Sequence, residues 1–311
     1  MKAVLARTSL FAPAPAVRLG LVRLGVGGFW LYQLLDTRED MIRLAGVDPA
    51  LFQPVGVATL LDGAISPLLY AGLLDATIAL GVAWTAGFAW RLVGPAFAGL
   101  LLFVTNYQLS WGQIHHDAHL PMLHVLALSL GPAAAGGSVD ALLRRRWRAA
   151  RWGAWQPAGE GWSWHYGWPL RLVCAVTTFT YLLAGLAKVT GDQGLGWASG
   201  ENLRDQIAYS TLDQDLLGGS DGPRAVMLFY EHPWLLAPAA IGTLVLEIGA
   251  PFALLGGPLA TGWVAGVIGM HWGIRALMAI VFPYPISGIA FLSFFPLERL
   301  LPASGRAILS R

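Results

Sequence analysis

The stretch that decides the fold is Tyr181-Leu-Leu-Ala-Gly-Leu-Ala-Lys188, followed by Val-Thr-Gly-Asp-Gln-Gly-Leu-Gly-Trp197 and Gly200-Glu-Asn-Leu203. Residues 170–188 are almost all apolar, and such a run predicts a membrane-spanning helix. The residues after Lys188 are glycine-rich and polar, which predicts that the helix ends within a residue or two.

Lys188 shares one helical face with Tyr181 and Gly185. Gly185 has no side chain, so a neighbouring helix could approach closely on that face. Two interpretations of Lys188 follow. In one, its stem lies against lipid and its ammonium lies among head groups. In the other, the side chain turns inward and is partly desolvated, so that it gives up its proton readily and acts as a base.

Composition predicts an integral membrane protein. The 311 residues are 56% hydrophobic and only 12% charged, whereas soluble domains carry about 25% charged residues. The lipid bilayer is therefore the first predicted partner. The net charge of +2 gives no case for nucleic-acid binding. The single cysteine, Cys174, excludes an intrachain disulfide.

Hydrophobic runs predict an all-α fold, a polytopic bundle of about eight transmembrane helices in a single domain covering 1–311. The predicted spans lie at about 19–35, 68–90, 92–106, 115–130, 170–188, 235–255, 259–282 and 286–297. The last one is short for a hydrocarbon core of about 30 Å. Residues 36–54 are predicted to be a polar loop, and residues 202–217 a short amphipathic helix.

Several of these spans contain ionisable residues, which are costly in a bilayer and indicate functional or paired positions. Arg23 must face protein, water or an acidic partner, or else snorkel to the interface. Glu247 is a candidate site residue, and His271 and Arg275 lie one turn apart on one face of the seventh span. Glu247 and Arg275 could form a structural ion pair between neighbouring helices, or serve function.

Histidines cluster in His115-His116-Asp-Ala-His119-Leu-Pro-Met-Leu-His124. His115 and His119 have the i, i+4 spacing that suits a metal. A membrane di-iron enzyme would need further histidine boxes, and the other histidines are isolated. A polar cluster that lines a cavity or binds a small molecule is therefore favoured over a metal site. The start of an interfacial helix, wetted by head groups, is a third interpretation.

Charge bias predicts the topology. Arg144-Arg-Arg-Trp-Arg-Ala-Ala-Arg151 is basic and rich in tryptophan nearby, which is typical of a cytoplasmic segment on anionic head groups. Four predicted spans precede it, so the N-terminus is also cytoplasmic, as is the arginine-containing C-terminus. Asn106, the histidine cluster and Lys188 would then converge near the outer face.

Ala184-Gly-Leu-Ala-Lys188, the turn after it, Trp197 and Gly200 resemble the signature of the vitamin K-dependent gamma-carboxylase membrane region. Bacterial relatives form the horizontally transferred transmembrane (HTTM) family, and the resemblance extends over about 19–296. It implies that Lys188, which aligns with the second lysine of the Ala-Gly-Val-Lys-Lys motif, is the catalytic base.

Other positions follow the family pattern only in part. The first lysine of that motif is replaced by Ala187. Asn106 and Gly112 match an Asn-His-x-x-x-x-Gly motif, but Tyr107 replaces its histidine. Family members often carry a histidine at the place of His271.

The resemblance implies a carboxylase-like enzyme of the bacterial inner membrane that uses a lysine base on a quinol-type, lipid-soluble cofactor near the outer face. The implied cofactors are a reduced, vitamin K-like quinone, oxygen and carbon dioxide. The carboxylase also has a lumenal domain, and nothing after Pro296 is expected to supply it. The sequence names neither the substrate nor a protein partner.

Two alternatives remain open at this point. One is a non-enzymatic protein that binds lipid or quinone or assists assembly, and the other is a metal-dependent membrane enzyme with histidine ligands. The candidate catalytic residues are Lys188, His115 and His119. The candidate cofactor-binding residues are Asn106, Tyr107, Tyr181, Gly185, Trp197, Glu247 and His271.

Overall fold

A computed structural model describes residues 9–112, 117–146, 161–216 and 225–302, which are mostly helical. These residues form two compact units. Residues 9–173 and 295–302 form the N-terminal unit, and residues 174–294 form the C-terminal unit. The described part of the chain contains one antiparallel strand pair, β1 (Ala14–Pro15) with β2 (Trp162–Ser163).

Among the described residues, six helices precede the second strand: α1 (Ala16–Asp36), α2 (Arg38–Ala45), α3 (Pro67–Ala86), α4 (Trp90–Leu109), α5 (His119–Ser129) and α6 (Val139–Arg146). Six described helices follow it: α7 (Trp164–Thr190), α8 (Glu201–Leu216), α9 (Ala225–Glu231), α10 (Leu236–Ile248), α11 (Gly257–Met278) and α12 (Pro283–Ile286). Helix α7 begins in the N-terminal unit and continues into the C-terminal unit after Val173.

Within the described ranges, three helices are long and apolar enough to cross a membrane: α3, α4 and α7. These correspond to three of the predicted spans. The boundary between the first two follows from local chemistry. Ser66 caps α3 by accepting a hydrogen bond from the Leu69 amide at 3.2 Å, and Gly87 ends it in the left-handed conformation. Helix α4 therefore begins at Trp90, inside the stretch predicted as the second span.

The N-terminal unit is built around α1, α3, α4 and α5. Helix α1 packs against α3 and α5, and α4 packs against both α3 and α5. Large side chains with almost no exposed surface fill the space between them, among them Trp30, Tyr70, Trp84, Phe97 and Tyr107. This is a helix-on-helix core, as the all-α prediction requires.

Arg23 lies inside this core with no exposed surface. Its guanidinium donates to three backbone carbonyls, those of Thr85 at 3.2 Å, Ala133 at 2.7 Å and Gly137 at 2.6 Å. Five rigid donors allow a guanidinium to bind several carbonyls at once. Of the alternatives open for Arg23, the structure shows the inward one, and the snorkelling one is wrong.

Two predicted segments differ from the structure. Residues 286–297 are not one helix: a single turn, α12, is followed by a 3₁₀ segment at Ile289–Phe294. Gly288 has a φ of 77°, far outside the helical region, so a continuous ladder of helical bonds cannot run through this position. The predicted polar loop at 36–54 contains α2, which buries Met41 and Ala45.

Two further predicted spans are shorter as helices. Helix α5 starts at His119, and α10 ends at Ile248 and continues as a 3₁₀ segment at Ala250–Leu255, where Pro251 removes a donor. Helix α8 confirms the helix predicted over 202–217, as far as the structure describes it.

Candidate functional site

The site in the C-terminal unit begins with a close approach of α7 to α10. A Cβ atom placed on Gly185 would lie 2.8 Å from Glu247 Cβ and 3.0 Å from the Ile248 amide nitrogen. Such distances leave no room for a side chain. The close helix approach predicted from Gly185 is therefore confirmed, and it brings the backbone of α7 against the residue that carries the site's carboxylate.

Lys188 and Glu247 form an ion pair across this contact. Lys188 Nζ donates to Glu247 Oε1 at 2.7 Å and to Oε2 at 2.8 Å. The side chain of Glu247 is only 7% exposed and that of Lys188 is 26% exposed. The lysine thus turns towards protein and not away from it. The predicted structural pair of Glu247 with Arg275 is wrong, because Arg275 is exposed and its guanidinium carbon lies 5.0 Å from the Trp272 ring centroid.

Trp197 covers the lysine. Lys188 Nζ lies 5.4 Å from the centroid of the Trp197 ring, within cation–π range. The indole is buried against Ala240 and Leu244 of α10. The turn that brings it there ends at Gly200, whose φ of 85° is accessible to glycine at little cost. Lys188 and Trp197, two of the residues that carried the family resemblance, are therefore in contact in the folded chain.

Tyr181 and His271 form a second buried pair. The Tyr181 hydroxyl lies 2.8 Å from His271 Nε2. Aromatic rings surround the pair: Trp263 lies 5.4 Å from Tyr181 and Phe282 lies 5.1 Å from His271 between centroids. The other ring nitrogen, His271 Nδ1, is buried and has no hydrogen-bond partner within the described chain.

Lys188 Nζ and the Glu247 carboxylate are placed to exchange a proton directly, because they share two hydrogen bonds. A proton that passes from Lys188 to Glu247 converts an ion pair into two neutral groups, so no net charge is created in a desolvated setting. Burial disfavours charged groups, which offsets part of the cost of that transfer. The neutral amine that results is a base. Lys188 retains some exposure, which leaves the amine accessible.

Three predicted residues lie in the N-terminal unit. The Asn106 side-chain amide donates to the Leu102 carbonyl at 2.7 Å. The Tyr107 hydroxyl both accepts from the Ile65 amide and donates to its carbonyl, each at 3.2 Å, and the side chain has no exposed surface. Tyr107 therefore serves the packing of this unit, and a cofactor contact would have to displace those bonds. His119 is exposed at the start of α5.

His115 lies outside the described residues, so its predicted role stays a prediction. Among the residues that are described, no group of three or more His, Cys, Asp or Glu side chains could hold a metal ion. The predicted convergence of Asn106, the histidine cluster and Lys188 near one face also remains a prediction, because these residues belong to different units.

Sequence reasoning missed the aromatic wall of the site. Trp263 contacts Tyr181 and Phe291, and its indole nitrogen donates to the Leu246 carbonyl at 2.8 Å. The signal was present in the spacing, because Trp263 and His271 lie eight residues apart and so share a face of α11.

No family model, curated protein or solved structure matches this chain.

Proposed function

We propose that this protein is a polytopic membrane enzyme, related to the HTTM family, in which Lys188 acts as a base on a lipid-soluble small molecule. Helices α1 and α11, with 21 and 22 residues, have enough length to accompany α3, α4 and α7 across a bilayer. The charge bias of the loops favours cytoplasmic termini in a bacterial inner membrane, with Lys188 near the outer face.

The observation that carries the proposal is the bidentate contact between Lys188 and the buried Glu247. A snorkelling lysine would leave this carboxylate without a partner, and buried charges are retained only when paired or functional. Glu247 holds the lysine at the end of α7 and can take its proton. Once neutral, the lysine can remove a proton from a weakly acidic hydroxyl placed beside Trp197.

The residues present fit an aromatic hydroxyl compound of the kind that the resemblance implies. The unpartnered His271 Nδ1 and the rings of Tyr181 and Trp263 form a polar spot within an aromatic wall. A reduced quinone would supply an acidic hydroxyl and two electrons for reaction with oxygen. Lys188 and Glu247 would hold and move the hydroxyl proton, while Tyr181 and His271 would orient polar groups nearby. The proposed reaction also includes carboxylation, with carbon dioxide, of a substrate that the sequence does not identify.

The test compares Lys188→Arg with Lys188→Met, each scored for folded yield and for oxidation of added quinol in the presence of oxygen. A guanidinium retains the positive charge but does not release its proton near neutral pH. We expect Lys188→Arg to give a yield near that of the wild type, and both variants to lose turnover.

Arg275→Met is the matched control, since it removes an exposed cation from a neighbouring long helix. It should keep both yield and turnover. Full turnover in Lys188→Arg would show that the ion pair is only structural. The interpretation as a non-enzymatic protein that binds lipid or quinone would then be favoured over the enzyme.

A further inference from the structure

The N-terminal unit contains a pocket of about 320 Å³ that plays no part in the proposed base chemistry. It lies between α1, α2 and the C-terminal end of α4, and residues from each of these helices line it. Its volume is at the lower end of the range found for small-molecule sites, about 300–1,000 Å³.

Two indoles in the pocket lining have unpartnered donors. Trp30 Nε1 and Trp111 Nε1 are both buried, and neither has a hydrogen-bond acceptor within the described chain. Trp30 is only 2% exposed. A buried donor without an acceptor loses its hydrogen bonds to water and gains none in return, so native proteins rarely leave one unpaired.

Other buried indoles of the same unit are satisfied internally. Trp84 Nε1 donates to Ser129 Oγ and Trp90 Nε1 donates to the Gly131 carbonyl, each at 2.9 Å. The two unpartnered donors are thus a local property of this pocket. An oxygen acceptor from outside the chain would complete both.

The lining also limits the charge of a ligand. Asp117, Gln108 and Gln33 supply oxygen acceptors, while no Lys, Arg or His occurs among the described residues that line the pocket. An anionic head group would therefore lie near the Asp117 carboxylate, which carries a like charge. Leu34, Leu109 and Met41 supply an apolar wall against which an alkyl chain can pack.

We propose that this pocket binds an uncharged amphiphile, an alkyl ester or amide, whose carbonyl oxygen accepts from the indole N–H groups of Trp30 and Trp111. A hydroxyl or amide hydrogen of the same molecule donates to Asp117 or Gln108, and its chain lies on the apolar wall. This site is separate from the proposed function and does not depend on Lys188.

The probe is a photoreactive diazirine analogue of decanoyl glycerol, added to the full-length protein in lipid nanodiscs, with labelled peptides mapped by mass spectrometry. Unlabelled decanoyl glycerol, decanoate and decyltrimethylammonium serve as competitors. They share a chain but differ in head group: an uncharged ester, an anionic acceptor and a cation without an acceptor. We expect label on peptides that contain Trp30 or Trp111, displaced best by decanoyl glycerol.

Trp30→Phe and Trp111→Phe remove the donor and keep an aromatic ring. Each should weaken competition by decanoyl glycerol about 3- to 10-fold, the range of one lost hydrogen bond. Trp234→Phe, at an exposed position in the other unit, is the binding control and should have no effect.

A second measurement keeps the test independent of folding defects. Trp84→Phe loses the same volume as Trp30→Phe but also breaks an internal hydrogen bond, so it should lower the unfolding midpoint more. Unchanged competition in both pocket variants would overturn the proposal, as would equal competition by decyltrimethylammonium. Equal destabilisation by Trp30→Phe and Trp84→Phe would also overturn it, since the Trp30 donor would then be satisfied by water. Lys188→Arg, which retains the charge and is expected to fold, should label normally whichever way the enzyme assay ends.

Discussion

The ion pair between Lys188 and Glu247 gives the sharpest prediction about stability. Lys188→Met leaves the Glu247 carboxylate, only 7% exposed, without its partner. Removing one member of a buried pair typically costs about 3–5 kcal/mol, because the remaining charge is uncompensated. We expect this variant to lose free energy of unfolding in that range.

The reverse change should cost less. Glu247→Leu leaves Lys188, whose side chain is already 26% exposed and can extend its ammonium to a polar region. We expect its cost to fall below about 3 kcal/mol. The double variant, Lys188→Met with Glu247→Leu, has no unpaired charge and buries apolar groups of similar size, so it should recover most of the loss.

Unfolding of each variant in mixed micelles, followed by tryptophan fluorescence, supplies the four free energies of the double-mutant cycle. Arg275→Met repeats the loss of a cation at an exposed position and should leave the free energy of unfolding nearly unchanged. A cycle in which the two single losses simply add would refute the reasoning, because coupled partners must show an interaction energy.

Two other predictions concern contacts between segments that are distant in the sequence. Gly185→Ala places a Cβ 2.8 Å from Glu247 Cβ and should lower the unfolding midpoint. Gly242→Ala in α10 is the control, because a Cβ there has no neighbour within 4 Å and should leave the midpoint unchanged. Equal midpoints for the two variants would contradict the close helix contact. Burial by itself would raise the pKa of the Glu298 carboxyl. The hydrogen bonds from Arg18 at 2.6 and 2.8 Å, a backbone hydrogen bond and nearby positive charge outweigh this effect, so the pKa is lowered. Because the folded pKa lies below the unfolded one, this pair stabilises the protein above the usual glutamate pKa of about 4.3 and loses that effect as pH falls through the folded pKa. Stability measured from pH 6 downwards should therefore fall less steeply in Arg18→Met than in the wild type, and parallel curves would exclude the linkage.

The sequence by itself determined the helical class and most of the long helices. Unbroken apolar runs predicted α3, α4 and α7, since a helix satisfies its own backbone groups and needs no partner chain to do so. It also named Lys188, Glu247, Tyr181 and His271, because polar groups within apolar runs are costly and stand out for that reason. Within 286–297 the sequence marks the break only by Gly288, whose φ of 77° interrupts the helix despite the apolar residues around it.

Tertiary structure alone decided which of these groups meet. The sequence suggested Arg275 as a partner of Glu247, but the close contact of α7 with α10 at Gly185 brings Lys188 to the carboxylate instead. Arg23 illustrates the same limit, because its partners are backbone carbonyls, which every residue carries and no sequence pattern marks. The pairing of side chains depends on which helix faces pack together, and that is set by the sum of many weak contacts between distant segments.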